Sequence, residues 1–254
     1  MKNSSVHITA YFDFMCPWSY LARTRLMKAL SRAKVSAHVK WIPFELYAHD
    51  SNHRVEREHI LGREHLDQTY HHLHELGVKE KLLIFHPKYE GSSKRALIGF
   101  LYAQQKGKEK QYMDEVFEAI FEHTQDISSF AVLRRIALKL GFDSAAFLSF
   151  IQHEQHHHSI VEHTHNAKQN GVRGVPTYII NYLPVTGALE VEDYVHILRT
   201  AAGHTTPAYL ITEKRPTSKA KPTPKKKSVP KKSAKKKPLK RAHKAQTKKK
   251  KKGR

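Results

Sequence analysis

The sequence predicts an α/β domain that is interrupted by a long helical segment and followed by a basic tail. Three observations predict it. An apolar run, Ile8–Phe14, is typical of a strand and leads at Cys16 into a helical pattern. A second strand pattern, Val175–Ile180, comes much later in the chain, and the apolar residues between the two repeat at helical spacing. After Glu213 the composition becomes almost entirely basic.

Cys16 is the only cysteine of the chain and opens the tetrapeptide Cys16–Ser19, C-P-W-S. Pro17 suits the first position of a helix, where its missing N–H is not needed. A thiol at a helix N-terminus faces free N–H groups and the positive end of the helix dipole, so the sequence predicts a lowered pKa and a nucleophilic Cys16. The alternative, a buried cysteine that acts as a small apolar side chain, stays open.

The segment Gly171–Ile180 places a proline, Pro176, at the start of a strand rich in β-branched and aromatic residues. Proline cannot donate to a β-ladder, so it is tolerated at a first position or a special turn. A cis Val175–Pro176 bond would form such a turn, and the sequence leaves the isomer open.

The insertion between these segments carries helix signals of its own. Ser128 or Ser129 is expected to cap one helix, and Asp143 or Ser144 is expected to cap the next. Asn170–Gly171 is expected to end the last helix just before the proline segment.

These motifs together resemble the DsbA-type thioredoxin superfamily, in particular its FrnE-like branch, which is related to 2-hydroxychromene-2-carboxylate isomerases and kappa-class glutathione transferases. The similar stretches are Phe12–Ala22, Val172–Ile180 and Thr186–Tyr194. The resemblance implies a thioredoxin fold with a large α-helical insertion, which we expect to cover the active site.

The resemblance also implies site residues. Cys16 corresponds to the nucleophile, and Ser19 takes the place of the second cysteine of the family's C-x-x-C motif, so the expected catalytic positions are these two. The expected substrate-binding positions are Pro17, Trp18, Val175 and Pro176. A serine cannot close an internal disulfide, which excludes the two-electron couple of a dithiol oxidase.

Three chemistries remain for a single thiol in this setting. Cys16 could exchange disulfides with protein or small-molecule thiols, with glutathione or another external thiol as the resolving partner. It could serve a glutathione-dependent transferase or isomerase, or it could be inert in a non-catalytic, nucleic-acid-associated protein. Thr186–Leu189 lacks the polar G-x-D-R-like segment of the isomerase branch, so we favour thiol–disulfide exchange. Glutathione is then a co-substrate, and no permanently bound cofactor is expected.

The charge of the chain is concentrated in its last residues. Of 45 Lys and Arg, 21 lie in 214–254, where no acidic residue occurs, which leaves 24 basic against 23 acidic residues in 1–213. Such a proline-interrupted basic segment is predicted to be disordered and to bind nucleic acid or another polyanion. The lysines expected to do so are Lys225, Lys226, Lys227, Lys235, Lys236, Lys237, Lys248, Lys249 and Lys250.

The sequence therefore divides into five segments. Residues 1–47 and 172–204 are the two halves of the thioredoxin-like domain, 48–171 the helical insertion, 205–213 a linker and 214–254 the tail.

His153–His157 matches the zinc motif H-E-x-x-H, and on one helix His153 and His157 would share a face. His163 lies where a third ligand would follow, but Ile160 replaces the glycine that allows the chain to turn before it. We expect no metal site, although adventitious metal binding by these histidines stays open.

The N-terminus lacks the apolar core of a signal peptide, and no run approaches the roughly 18 apolar residues of a membrane span. A single cysteine suits a reducing compartment. We therefore expect a cytoplasmic protein without a membrane partner. The basic tail leaves open whether the protein associates with the nucleoid. The sequence does not determine the oligomeric state.

Overall fold

The structure is a computed structural model, and it describes residues 5–47, 55–56, 62–87, 89–90 and 92–203. The chain divides into two units, Met1–Ile211 and Thr212–Arg254, and every described residue belongs to the first. The predicted disorder of the tail therefore lies outside the described residues.

A four-stranded mixed sheet forms the centre of the first unit, in the order β2-β1-β5-β6. β1 is parallel to β2, with Val6 opposite Ala37, and antiparallel to β5, which pairs antiparallel with β6. The strands are β1 (Val6–Phe12), β2 (Ala37–Pro43), β5 (Thr177–Ile180) and β6 (Leu183–Thr186). A separate two-stranded sheet joins β3 (Val55–Glu56) and β4 (Tyr89–Glu90).

Eight α-helices and one π-helical turn, Glu118–Glu122, occur in the described part of the chain. The α-helices are α1 (Pro17–Ala33), α2 (Arg63–Lys79), α3 (Lys94–Gln105), α4 (Glu109–Phe117), α5 (Phe130–Lys139), α6 (Ser144–Gln152), α7 (Glu154–Gln169) and α8 (Val191–Ala201). The order β1-α1-β2, a helical insertion, and then β5-β6-α8 confirms the predicted thioredoxin-type fold.

β1 passes through the middle of the sheet, and its alternating side chains enter two different cores. Ile8, Ala10 and Phe12 belong to the main core, which also includes α1, α8 and most of the insertion helices. Tyr11 belongs to a smaller cluster with Phe44, Ala167 and Val172. The end of α7 therefore covers one face of the sheet, while α1 and α8 cover the other.

The insertion is joined to the main core by stacked and edge-on aromatic rings. The Phe117 ring lies 4.9 Å from the Phe14 ring and 5.1 Å from the Tyr20 ring, centre to centre. The Tyr20 hydroxyl donates a 2.8 Å hydrogen bond to Glu122, in the π-helical turn. Burial, followed by this bond, raises the pKa of Tyr20. The insertion is thus fixed to the first turn of α1, directly after Cys16.

Helix boundaries within the insertion follow the predicted signals in part. Asp143 caps α6 by accepting hydrogen bonds from the amides of Ala145 and Ala146, as predicted, and α7 ends at Gln169, just before Asn170. The π-helical turn has no counterpart in the apolar pattern. The close approach of α3 and α4 depends on Gly99, because a Cβ atom there would lie 2.1 Å from the Tyr112 hydroxyl oxygen.

Arg25 links α1 to the segments before β4 and α8 while almost completely buried. Its Nε donates to Glu80 at 3.0 Å, and one guanidinium nitrogen donates to the carbonyls of Ala188 and Leu189. Lys28 donates to the second Glu80 oxygen at 2.7 Å. Desolvation opposes ionisation of Glu80, but hydrogen bonds and charge from Lys28 and Arg25 outweigh it and lower the pKa of this carboxyl.

We predict that Glu80→Gln lowers the free energy of unfolding by about 2 kcal/mol at pH 7, because it removes the buried carboxylate that Arg25 and Lys28 share and leaves the buried Arg25 guanidinium with the exposed Glu190 carboxylate, at 2.9 Å. Since the folded-state pKa of Glu80 is lowered, its contribution is complete above the unfolded value of about 4.3 and is lost as pH falls through the folded value. Urea unfolding at several pH values should therefore show a difference from the wild type that shrinks below about pH 4.

The matched control is Glu192→Gln, which removes the exposed partner of Arg32 and should cost less than about 1 kcal/mol. Equal losses for the two variants, or a Glu80 effect that is independent of pH, would contradict this account of the buried pair.

Candidate active site

The loop between β1 and α1 is shaped by the fully buried carboxylate of Asp13. One carboxylate oxygen accepts the Met15 amide at 2.9 Å, and the other accepts the Leu46 amide, which follows β2, at 2.6 Å. The Cys16 amide donates to the Asp13 carbonyl at 3.2 Å. These bonds hold Cys16 at the N-cap position of α1, with Pro17 at the first helical position as predicted.

Cys16 lies against the segment before β5, which belongs to the other half of the domain. Its Sγ donates to the Val175 carbonyl at 3.4 Å, and the Val175–Pro176 peptide bond is cis. The Cys16 side chain is only 5% exposed. The structure therefore brings Cys16, Val175 and Pro176 together, although 159 positions separate the first two.

The predicted lowering of the pKa of Cys16 is wrong. Desolvation by burial raises the pKa of this thiol, and the negative charge of Asp13 adds to the rise. The Ser19 side chain and amide and the Trp18 amide are donors that favour the thiolate, and they act in the opposite direction without overcoming burial. The helix N-terminus does supply the expected donors, but the thiol is too far from solvent for them to dominate.

Ser19 lies one turn along α1 and is almost completely buried. With the neutral thiol, its hydroxyl oxygen has no partner at hydrogen-bonding geometry within the described part of the chain. It nevertheless lowers the pKa of Cys16, because it can donate to the thiolate. Ser19 is thus positioned to stabilise a negative sulfur.

The two remaining predicted substrate-binding residues, Pro17 and Trp18, flank the thiol from α1. Pro17 is buried, whereas Trp18 is half-buried, with its ring 6.1 Å from the ring of His72 on α2. Trp18 therefore lies between the thiol and the helical insertion. Contact between a substrate and either residue stays a prediction.

Thr177, which the sequence reasoning did not single out as a site residue, fixes the Val175–Pro176 loop. Its hydroxyl donates to the Gly174 carbonyl at 2.8 Å and lies 3.3 Å from the Thr186 hydroxyl on β6. The Gly187 amide donates to the Pro176 carbonyl at 2.9 Å. A threonine directly after a strand-initiating proline was the available signal, because its short side chain can bond the backbone locally.

Glu45 is a second residue that the sequence reasoning missed. It directly follows Phe44, is 3% exposed and faces Lys94 at the start of α3, with 3.4 Å between Oε1 and Nζ. Desolvation raises the pKa of Glu45, Lys94 lowers it, and the nearby Asp13 charge raises it. The acidic residue after an apolar strand was its only sequence signal.

The H-E-x-x-H motif does not form one helical face. His153 lies between α6 and α7 with an extended backbone and caps α7, while His157 lies inside α7 and contacts the Ile151 carbonyl at 3.1 Å. His163 is half-buried, and desolvation lowers its pKa. Among the described residues no group of three or more metal-ligating side chains is placed to hold an ion.

The nine tail lysines predicted to bind nucleic acid, from Lys225 to Lys250, lie outside the described residues. Within the described ranges no helix combines the length and the apolar character that crossing a membrane requires.

The family model of the DSBA-like thioredoxin domain matches residues 7–199, and the chain belongs to this family. The uncharacterized protein YwbO of Bacillus subtilis is 26% identical over 189 residues, which are 72% of this chain and 91% of that protein. The 2-hydroxychromene-2-carboxylate isomerase of Pseudomonas putida is 28% identical over 181 residues, or 67% of this chain and 83% of the isomerase.

Among solved structures, a probable DsbA oxidoreductase from Streptomyces coelicolor shares the fold with a TM-score of 0.70 and 20% identity, covering 80% of this chain and 92% of that one. This structural comparison shows the fold, and the curated relatives include proteins named as isomerases.

Proposed function

We propose that this protein is a thiol–disulfide oxidoreductase that works through the single thiol of Cys16, with glutathione or another external thiol as the resolving partner. The observation that carries the proposal is the position of Cys16. Its Sγ lies at the N-terminus of α1 and contacts the Val175 carbonyl of the cis-proline loop, while Ser19 occupies the position of a second cysteine. A lone cysteine with a reduced thiol suits a reducing compartment such as the cytoplasm.

The reaction begins when deprotonated Cys16 attacks one sulfur of a substrate disulfide. A bond forms between Cys16 and that sulfur, the substrate S–S bond breaks, and the second substrate sulfur leaves as a thiolate that takes up a proton. Because Ser19 offers no thiol, a glutathione thiolate attacks the mixed disulfide and releases Cys16. A second glutathione completes the reduction, so two glutathione molecules supply the two electrons and leave as glutathione disulfide.

The surroundings of Cys16 support its role as attacking and leaving group. Donation to Val175 orients the thiol towards the loop that an incoming chain would meet. The Ser19 and Trp18 hydrogen bonds favour the thiolate that is regenerated when the mixed disulfide is cleaved. Burial keeps the resting thiol neutral, so the exchange rate should rise with pH, since only the thiolate attacks.

We predict that the wild-type chain accelerates the reduction of a model disulfide by glutathione and that Cys16→Ser falls to the rate of glutathione alone. The Cys16→Ser variant carries a hydroxyl in place of the thiol, so it cannot form a mixed disulfide. Turnover is measured by coupling glutathione disulfide formation to its reductase, and intact mass tests for a glutathione adduct. Ser19→Ala is the matched control, because it retains the nucleophile and should keep measurable exchange. A wild-type rate equal to the uncatalysed rate would contradict the proposal.

A glutathione-dependent isomerase or transferase is the second candidate, and three observations favour it. Relatives named 2-hydroxychromene-2-carboxylate isomerase are 28% and 29% identical to this chain. The Cys16 thiol is buried with a raised pKa, and the Ser19 hydroxyl is free to donate to the sulfur of a bound glutathione thiolate.

The same variant separates the two candidates. The isomerase branch that the sequence resembles has a similar segment, S-P-Y-S-Y-L-A, where this chain reads C-P-W-S-Y-L-A. Serine there takes the position of Cys16, so Cys16→Ser should preserve isomerisation of 2-hydroxychromene-2-carboxylate in the presence of glutathione. Isomerisation that survives in Cys16→Ser, without disulfide exchange in the wild type, would establish the second candidate.

We also propose that the Lys-rich segment 214–254 binds nucleic acid or another polyanion and holds the enzyme near it. Its 21 positive charges without an acidic residue support this role, because lysines displace the counterions condensed on phosphates without reading the base sequence. In a bacterial cell this would place the protein at the nucleoid.

We predict that replacing Lys225–Lys227 by glutamine in the full chain weakens binding to duplex DNA and makes the slope of log K against log salt shallower by about 2 to 3, close to 0.9 per lost phosphate contact. Fluorescence anisotropy at several salt concentrations measures this slope. The control replaces three exposed lysines of the folded body, Lys34, Lys40 and Lys79, and should leave the slope almost unchanged. Equal effects of the two sets would place the binding surface outside the tail.

A further inference from the structure

An apolar groove lies at the β6 edge of the sheet, and its lining residues take no part in the thiol chemistry proposed above. In the described part of the chain no strand pairs with the outer side of β6. A hollow of about 460 Å³ lies between this strand and α8, and its lining includes Leu183, Val185, Leu189 and Ile197. A neighbouring hollow shares Leu183 and Ile197 and continues to Asn181 and Ala201. We call the two together the β6–α8 groove.

Apolar side chains of this groove are open to solvent. Leu183 is 39% exposed, Tyr182 beside it is 98% exposed, and Leu189 and Ile197 are half-buried. A contiguous exposed apolar patch of this kind is typical of a surface that another segment or protein covers.

Pro184 favours a short occupant over a second sheet. Proline has no N–H to donate, so β6 is a poor template for extended pairing with the edge strand of another copy. An occupant held by its side chains in the groove fits this edge better.

The chain itself supplies such an occupant. Asn181 donates a 3.2 Å hydrogen bond to the Ala201 carbonyl, so the end of α8 lies beside one end of the groove. Residues 204–254 lie outside the described residues. Within them Ala208–Ile211, with the sequence A-Y-L-I, is the only run of consecutive apolar residues.

The connection is long enough for this segment to reach the groove. The five positions from Gly203 to Ala208 span up to about 17 Å when extended, and the four residues of β6 are about 13 Å long. We propose that Ala208–Ile211 packs into the β6–α8 groove.

Hydrogen exchange followed by mass spectrometry on the full chain tests the proposal. A peptide over 205–212 should exchange about tenfold or more slowly than a peptide over 214–230, because its amides lie in a packed segment. Leu210→Asp should remove this protection and speed exchange in β6 and α8, while β1 and α1 keep theirs. Thr205→Asp, which adds the same charge outside the apolar run, should leave protection in place.

Two results would overturn the proposal. One is exchange over 205–212 as fast as over 214–230 in the wild type. The other is protection of β6 and α8 that depends on protein concentration and persists in Leu210→Asp, which would make a second copy of the chain the occupant. Leu210→Ala shortens the apolar side chain without adding a charge and should reduce the protection in part. This variant separates the loss of apolar contact from the effect of introducing a charge.

Discussion

The hydrogen bonds that the buried Asp13 carboxylate accepts from the Met15 and Leu46 amides are the constraint on which the site depends. They connect the β1–α1 loop to the Leu46 amide beyond β2, so the parallel strand pair and the position of Cys16 are fixed together. From there Cys16 reaches Val175 in the other half of the domain. Disturbing Asp13 would therefore move the thiol, the end of β2 and the contact with the cis-proline loop at once.

The same packing determines the electrostatics of the thiol. Phe14 and Tyr20, on either side of Cys16 in the sequence, pack against Phe117 of the insertion, and Cys16 between them is buried. Burial then dominates the pKa of the thiol, although the helix N-terminus and Ser19 offer donors to a thiolate. Because burial outweighs these donors, the resting thiol is neutral. The donors still stabilise the thiolate once it forms, which is compatible with exchange that begins when a substrate enters the site.

Much of the architecture could be predicted from the sequence because it depends on local signals. The strand before Cys16, Pro17 at the helix start, the Asp143 cap and the proline loop are all determined by neighbouring residues. Other features depend on tertiary packing and not on neighbouring residues. They are the raised pKa of Cys16, the helix break at His153 and the environments of Thr177 and Glu45. His153 shows the difference, because its motif suits one helix while the structure ends α6 before it and begins α7 after it.

The central claim is that Cys16 is a buried but reactive thiol whose thiolate is supported by Ser19. The most direct test is the pH dependence of Cys16 alkylation by iodoacetamide in the folded wild-type chain and in Ser19→Ala. We expect complete modification with an apparent pKa above that of the urea-unfolded chain and a still higher value in Ser19→Ala, because the variant lacks one donor to the thiolate. An apparent pKa below the unfolded value, no effect of Ser19→Ala, or no modification in the folded state would contradict the claim.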